Sequence, residues 1–372
     1  MASALKRIFH FRALLVVLTF IALISLILTY LSPYMHPETF SILPLFGLSY
    51  WFILITNAVL LVIWTVLKSK WALVPLLTIL LGGTLHLRML PLGSDEYNQN
   101  GTELHVMSYN VRLFDLYKTL GKDTKDKIFN YIREKQPEIA CFQEFYHQDA
   151  PTSFVTQDSL IAILNSVDHH ARYKHQKYRR QNFGIVLYSK FPIIHKGEIE
   201  FTKASNNYNY CIYADIVKQQ DTFRVYNIHL QSIKLQKDDY AIFDEKNIDA
   251  GEKSSNFFRL IGKIKNAYPV RARQAEQITE HIKQSPYPVI VCGDFNDTPI
   301  SYCYNKFNTL LTDAYRNTSF GPGTTYAGKI PAGRIDYIFH SSTLGSRDFD
   351  IQNEKLSDHY AIDCKLFIKN VE

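Results

Sequence analysis

The apolar run 288–292 (PVIVC) ends in Gly293-Asp294-Phe295-Asn296-Asp297. A continuous apolar run of this kind reads as a strand covered on both faces. It would deliver Asp294 and Asn296 to a loop, an acid and an amide aimed at one ligand. The competing reading is a turn in which both side chains only bond backbone. The same layout recurs along the chain. Residues 106–108 lead to Tyr109-Asn110, 139–142 to Gln143-Glu144, and 225–228 to His229. Ile335-Asp336 opens a strand, and Ser357-Asp358-His359 precedes the last one. Taken singly, Glu144 reads equally as a solvated strand-end charge, Asn110 as a turn former and His229 as a satisfied core histidine. Taken together they put amide, carboxylate and imidazole groups at successive strand ends.

The elements that must position these groups follow from periodicity. Strands are expected over 104–111, 138–143, 184–189, 208–217, 223–230, 289–292, 335–340 and 361–368. Helices are expected over 125–135, with Ile128 and Ile132 on one face, and over 257–266 and 271–283. The polar stretch 234–253 reads as a surface insertion. Such alternation suggests a two-layer sandwich flanked by helices.

The first quarter is of another kind. Of the 372 residues, 47% are hydrophobic and 20% charged, which excludes a disordered or low-complexity chain. Six of the 41 Lys/Arg and one of the 35 Asp/Glu lie in residues 1–93, leaving 35 basic and 34 acidic residues beyond. The net charge of +6 therefore sits mostly at the N-terminal end, and a domain basic enough to hold nucleic acid by bulk charge is excluded. Uncharged apolar runs suggest membrane spans over about 13–32, 40–67 and 71–90, the last also readable as a re-entrant or interfacial helix. A cleaved signal peptide is the rival reading of the first run. Lys6, Arg7 and Arg12 precede the first run and Lys68 and Lys70 follow the second, so the positive-inside rule puts both in the cytoplasm. Three crossings then leave the remainder outside it. Residues 93–103 read as a polar linker and 104–372 as one domain. The five cysteines are spaced as buried free thiols rather than as a disulfide framework or zinc site.

The ordered series SYNV, QE, NIHL, GDFN, RIDYIF and SDH resembles the endonuclease/exonuclease/phosphatase superfamily, from residue 104 to the C-terminus. The resemblance implies a four-layer α/β/β/α sandwich, dependence on Mg²⁺ or Mn²⁺, and hydrolysis of a phosphoester by direct attack of water. By position it implies that Glu144 is the principal metal ligand with Asn110 beside it, and that Asp358 supports a second metal position. Asp294 would orient and deprotonate the water, and Asn296 would hold the phosphate or the nucleophile. His229 and His359 would contact non-bridging oxygens, with Asp336 orienting His359. In the deoxyribonuclease branch a Glu partners the first histidine; here the matching position is Asn182, which cannot stabilise an imidazolium by charge. Asn182 and Arg180 are instead candidates for contact with substrate phosphate.

These readings describe an integral, multi-pass protein of a plasma or inner membrane with an extracytoplasmic phosphoesterase domain. A catalytically inert binding or scaffold domain on the same fold is the alternative, opposed by the presence of Glu144, Asp294 and His359. The partners implied are the lipid bilayer and a phosphoester, whether nucleic acid, phospholipid headgroup or small phosphodiester; the sequence points to no protein partner.

Overall fold

The computed structural model describes residues 2–95, 102–176, 179–201, 209–233, 250–328 and 333–369. The N-terminal quarter forms helices α1 (Ala2–Leu31), α2 (Leu43–Leu48), α3 (Tyr50–Val66), α4 (Leu73–Leu81) and α5 (Gly83–Met89). The remainder alternates: β1 (Glu103–Asn110), α6 (Thr124–Lys135), β2 (Ile139–Gln148), α7 (Gln157–Leu164), β3 (Asp168–Gln176), β4 (Gln181–Ser189), β5 (Ile193–Ile199), β6 (Tyr210–Lys218), β7 (Asp221–His229) and α8 (Ala250–Lys283). Then follow β8 (Val289–Asp294), α9 (Tyr302–Asn308), β9 (Thr312–Asp313), α10 (Ala314–Thr318), β10 (Asp336–His340), β11 (Leu344–Ile351) and β12 (Ile362–Ile368).

The strands make two mixed six-stranded sheets, in the orders β11-β12-β1-β2-β4-β3 and β5-β6-β7-β8-β10-β9. Three apolar clusters hold the layers together. Leu104, Val106, Cys141, Ile185, Val225, Ile290 and Ile338 fill the space between the sheets. Met107, Phe142 and Val186 on the outer face of the first sheet meet Ile128, Ile132 and Leu160 of α6 and α7. Tyr226, Val291 and Phe339 on the outer face of the second meet Ala275, Ile278 and Phe307 of α8 and α9. The expected α/β/β/α layering is therefore present, and it follows from the two-residue alternation of buried strands.

Two expectations need correction. The helices expected over 257–266 and 271–283 are one helix, α8, with Pro269 inside it. Proline removes one backbone donor, yet the packing of Ala275, Ile278 and Ile282 carries the helix through. The linker is also less free than its composition implies. Gly93 N–H donates to Ser319 O (3.0 Å), Ser94 N–H to Asn317 O (3.0 Å), and Asp95 Oδ1 accepts from Asp348 N–H (2.9 Å). A Cβ on Gly93 would lie 2.5 Å from the Asn317 carbonyl carbon, so the missing side chain is what lets the two backbones meet. Residues 96–101, and residues 234–249 of the polar stretch, lie outside the described residues.

In the N-terminal quarter one described helix, over His10–Leu31, is by itself long and apolar enough to cross a membrane. Helix α3 is apolar but has 17 residues, and the segments Lys70–Leu81 and Gly83–Met89 meet that standard only as a pair bent by 63°. The break falls at Gly82, where a Cβ would strike the Tyr30 ring. Polar side chains knit the helices: Trp64 Nε1 donates to Thr19 Oγ1 (2.8 Å) and Asn57 Nδ2 to Ala22 O (3.1 Å). Outward-facing Leu14, Ile21, Phe52, Val62, Leu77 and Leu81 are each more than half exposed.

Gly293 of β8 has φ +152°, and a Cβ there would lie 2.0 Å from the Ile228 carbonyl oxygen of the neighbouring strand. Gly293→Ala is expected to destabilise the protein by about 1–3 kcal/mol, read as a lower denaturant midpoint. An unchanged midpoint would refute the close-approach argument.

Candidate active site

Five strands carry apolar side chains on the inter-sheet face and change to polar ones at the same end of the sandwich. The sequence on that face runs Leu104-Val106-Ser108-Asn110 in β1 and Ile139-Cys141-Gln143 in β2. It runs Phe223-Val225-Asn227-His229 in β7 and Ile290-Cys292-Asp294 in β8, while the oppositely directed β10 reads Asp336-Ile338. Pairing sets the rest: His229 lies opposite Asp294 across the parallel β7–β8 ladder, and Asp336 lies opposite Asp294 across the antiparallel β10–β8 ladder. Asn110 lies opposite Gln143 in the facing sheet.

Beneath this mouth is a buried polar clamp. Gln143 Nε2 donates to Asn227 Oδ1 (2.7 Å), and Asn227 Nδ2 donates to Val186 O (2.8 Å) and Phe142 O (3.1 Å). Both side chains are fully buried, and the bonds tie one sheet to the other directly below the reactive groups. Sequence reasoning missed this pair; the signal was the i, i+2 spacing of Asn227 and His229 on one strand.

Asp294 is the hub. Its Oδ2 accepts from Asn110 Nδ2 (3.0 Å) and Asn296 Nδ2 (3.2 Å) and lies 3.7 Å from His229 Nε2 and 3.6 Å from His359 Nε2. Its Oδ1 accepts from the Asn296 N–H at 2.8 Å. His359 Nδ1 donates to Asp336 at 3.0 Å. Burial by itself would lower the pKa of His359, but the carboxylates of Asp336 and Asp294 outweigh it and hold the imidazole well above its usual value. Burial pushes Asp336 up to about 6, and its carboxylate beside His359 favours the protonated imidazole. Asp294, Asp336 and His359 offer ligand atoms all within 4.8 Å of one another.

Glu144 reaches the mouth through an irregularity. The β2–β4 register shifts between Phe142 and Phe145, both of which face the outer cluster, and Glu144 between them has φ +47°. A bulge of this kind re-aims one side chain, here toward His229 Nε2, 3.9 Å away. Removal of water by the surrounding wall, opposed by His229, raises the Glu144 pKa. Among the described residues none donates a hydrogen bond to its carboxylate. His229, 4% exposed, likewise has both ring nitrogens without a hydrogen-bond partner. Buried polar atoms left unpaired are costly, so the mouth fits a ligand that would engage them. The oxygen-rich set of Glu144, Asn110 and Asp294 suits a hard divalent cation and a phosphate.

The remaining candidates divide. Asp358 lies 3.5 Å from Arg112 Nε at the rim, and the neighbouring Ser357 Oγ donates to Asn110 O (2.8 Å). Asn182 and Arg180 do not join the network. Asn182 Nδ2 donates to Asp149 Oδ1 (2.8 Å), its Oδ1 bonds His175 Nδ1 (2.7 Å), and Arg180 Nη1 donates to Ala150 O (3.1 Å). The reason is strand parity: Asn182 shares the outer face of β4 with Val186 and Tyr188, whereas His229 is on the inner face of β7. Asn182 therefore does not stand in as the partner of His229. The support missed in sequence is Arg271. It is fully buried within α8, 3.1 Å from Asp297, and donates from Nε to Gln231 O (3.0 Å). It thereby ties down the loops after both β7 and β8.

A family model described as endonuclease/exonuclease/phosphatase family matches residues 107–359, and a second, described as a domain of unknown function, matches residues 12–89. No curated protein matches the chain. Solved structures do. The human Nocturnin catalytic domain with bound sulfate anion has 19% identity and a TM-score of 0.50, over 72% of this chain and 94% of that one. An endonuclease/exonuclease/phosphatase from Bacteroides vulgatus has 17% identity and a TM-score of 0.50, over 72% and 100%. TDP2 from D. rerio, complexed with single strand DNA product, has 15% identity and a TM-score of 0.50, over 71% and 99%. Such identities establish a shared fold.

Arg271→Met would leave the Asp297 carboxylate buried without its partner. The expected loss is about 3–5 kcal/mol of stability, measured by denaturant unfolding. A loss below about 1 kcal/mol, within the range of exposed pairs, would show that the pair is not a structural anchor.

Proposed function

The chain belongs to the endonuclease/exonuclease/phosphatase family, and on that premise we propose that it is a membrane-anchored, divalent-metal-dependent phosphoesterase acting by direct attack of water. The observation that carries this reading is the convergence of Asp294, His229, His359 and Glu144 at one mouth, with both buried His229 nitrogens lacking hydrogen-bond partners among the described residues.

Glu144 and Asn110 would hold the metal, with Asp358 at the rim for a second ion. When bound, Mg²⁺ or Mn²⁺ supplies charge that neutralises the phosphate and the departing oxygen. Asp294 accepts the proton of the attacking water at Oδ2. The two amides bonded to that carboxylate, from Asn110 and Asn296, fix its direction. His359, kept protonated by Asp336, donates to a non-bridging oxygen, and His229 offers a second donor from the opposite side of Asp294. Asn182 and Arg180, bonded to the 149–150 turn, remain candidates for contact with the remote part of a substrate.

The membrane reading rests on layering as well as on composition. Residues Leu26, Tyr30, Tyr50, Leu85 and Met89 form the bundle layer nearest the catalytic part, with Ile300 among them. Leu15, Leu60 and Trp64, beside Leu67 and Ala72, form the far layer. The N-terminal Lys6, Arg7 and Arg12 and the turn bearing Lys68 and Lys70 thus belong to the end away from the catalytic part, which agrees with a cytoplasmic position for them. Up-and-down crossings by α1, α3 and the bent α4–α5 pair would leave the catalytic part outside the cytoplasm. The near-neutral charge of residues 94–372 favours phosphoesters near the bilayer surface over capture of long duplex DNA.

Full-length protein in lipid nanodiscs is expected to hydrolyse bis(p-nitrophenyl) phosphate with Mg²⁺ and to stop on chelation. Asp294→Asn should lower turnover about 10²–10⁴-fold while the fold persists; turnover near wild type would remove Asp294 from the mechanism. Rates on phospholipid vesicles, RNA and plasmid DNA at two salt concentrations address the substrate. Strong, salt-sensitive cleavage confined to DNA would contradict the bilayer-surface preference. For topology, a reporter active only in the cytoplasm and fused after residue 101 is expected to stay silent, and a signal would reverse the orientation.

A further inference from the structure

The segment between β8 and α9 has two ends with different surroundings. At the first, Asp294 and Asn296 face the mouth. At the second, Ile300 is fully buried, and its apolar cluster consists otherwise of Leu26, Tyr30, Tyr50, Leu85 and Met89 from the N-terminal bundle. The Ile300 carbonyl oxygen abuts Gly47 of α2 so closely that a Cβ on that glycine would lie 2.5 Å from it. Between the two ends the segment has little freedom. Asp297 is held by Arg271 (3.1 Å), its carbonyl accepts from Tyr337 Oη (2.8 Å), and Ser301 Oγ accepts from Tyr304 N–H (3.1 Å) to cap α9. The bundle also grips the helix that carries Arg271. Glu38 pairs with Arg273, and His36 lies 3.9 Å from Glu276 and packs edge-on against Tyr302 at a ring-centroid distance of 5.0 Å.

We infer that the N-terminal bundle is part of the active-site scaffold, with Ile300, seated against Gly47, a positioning residue for the loop that presents Asp294 and Asn296. This rests on the phosphoesterase reading for its catalytic consequence, but the seat itself does not. Reaction geometry tolerates little displacement: a shift of about 1 Å away from the chemistry can cost as much as about 10²-fold in rate. A side chain at position 47 pushes directly on the backbone six residues after Asp294. Such a shift moves Asp294, the group assigned to the attacking water, and so acts on turnover.

The test uses full-length protein in nanodiscs. Gly47→Ala is compared with Gly83→Ala, a second bundle glycine at which a Cβ meets nothing within 4 Å. Two quantities are read: amide hydrogen exchange over residues 294–301, and the kcat and KM of Mg²⁺-dependent phosphodiester hydrolysis. For Gly47→Ala the expectation is faster exchange and a kcat lowered between about 10-fold and 10²-fold, with KM within about twofold. Gly83→Ala should change neither. If Gly47→Ala does not fold, Ile300→Ala should show the same pattern and Ile300→Val should largely restore both readouts. Unchanged exchange in the position-47 variant, or altered exchange with unchanged kcat, overturns the inference. A wild-type chain inactive on every phosphoester would instead overturn the phosphoesterase reading, and hydrogen exchange alone would then decide the seat by the same criterion.

Discussion

A strand turns successive side chains to opposite faces, and that two-residue period governs the molecule. On the inter-sheet face of β1, β2, β7, β8 and β10 it permits an apolar filling along most of the length and polar groups only where the strands end. Because β7, β8 and β10 are ladder neighbours, their terminal residues His229, Asp294 and Asp336 arrive side by side without any loop having to bring them together. The Gln143–Asn227 clamp marks the boundary between the two regimes, its hydrogen bonds tying one sheet to the other above the apolar filling and below the mouth. Moving any of these strands by one residue would turn its polar group away from the mouth and put an outer-face residue in its place.

The same period explains what the sequence could and could not disclose. All eight strands read from periodicity, β1, β2, β4, β6, β7, β8, β10 and β12, are interior strands with neighbours on both sides. The four that were missed, β3, β5, β9 and β11, are the four sheet edges. An edge strand such as β3, DHHARYKHQ, is half-exposed throughout and carries charge along its length, so no apolar alternation survives to announce it. The candidate site was legible where it depended on strand ends, as at Asn110, His229, Asp294 and Asp336. It was illegible where parity at a distance decided the outcome. Asn182 lies in the right stretch of chain, yet it is on the wrong face of β4 to meet His229, and no local pattern states which face is which. Arg271 is the converse case: at the start of an expected helix it reads as either solvated or paired, and only the tertiary fold reveals Asp297 beneath it.

The two halves of the chain are bonded in different ways. Inside the catalytic part, two buried arginines each hold one buried carboxylate, Arg271 with Asp297 and Arg334 with Asp313, so these two loops have private anchors. Between the halves the contact mixes apolar packing around Ile300 with ion pairs on α8 and hydrogen bonds to backbone, among them Arg334 Nη2 donating to Arg88 O (3.2 Å) and Gly321 N–H donating to Pro91 O (3.3 Å). Removing apolar area from water and fixing direction by polar contacts are complementary tasks, and the boundary uses both.

The pairing of Leu92 with Phe320, and the bonds from Gly93, Ser94 and Asp95 that continue it, change the mechanics of attachment. Both ends of the 96–101 stretch are fastened to the catalytic part, since Thr102 Oγ1 is bonded to Asp221 just before β1 begins. The height of the mouth above the helices is therefore set by the joint that residues 92–95 make with the catalytic part, as in a bracket.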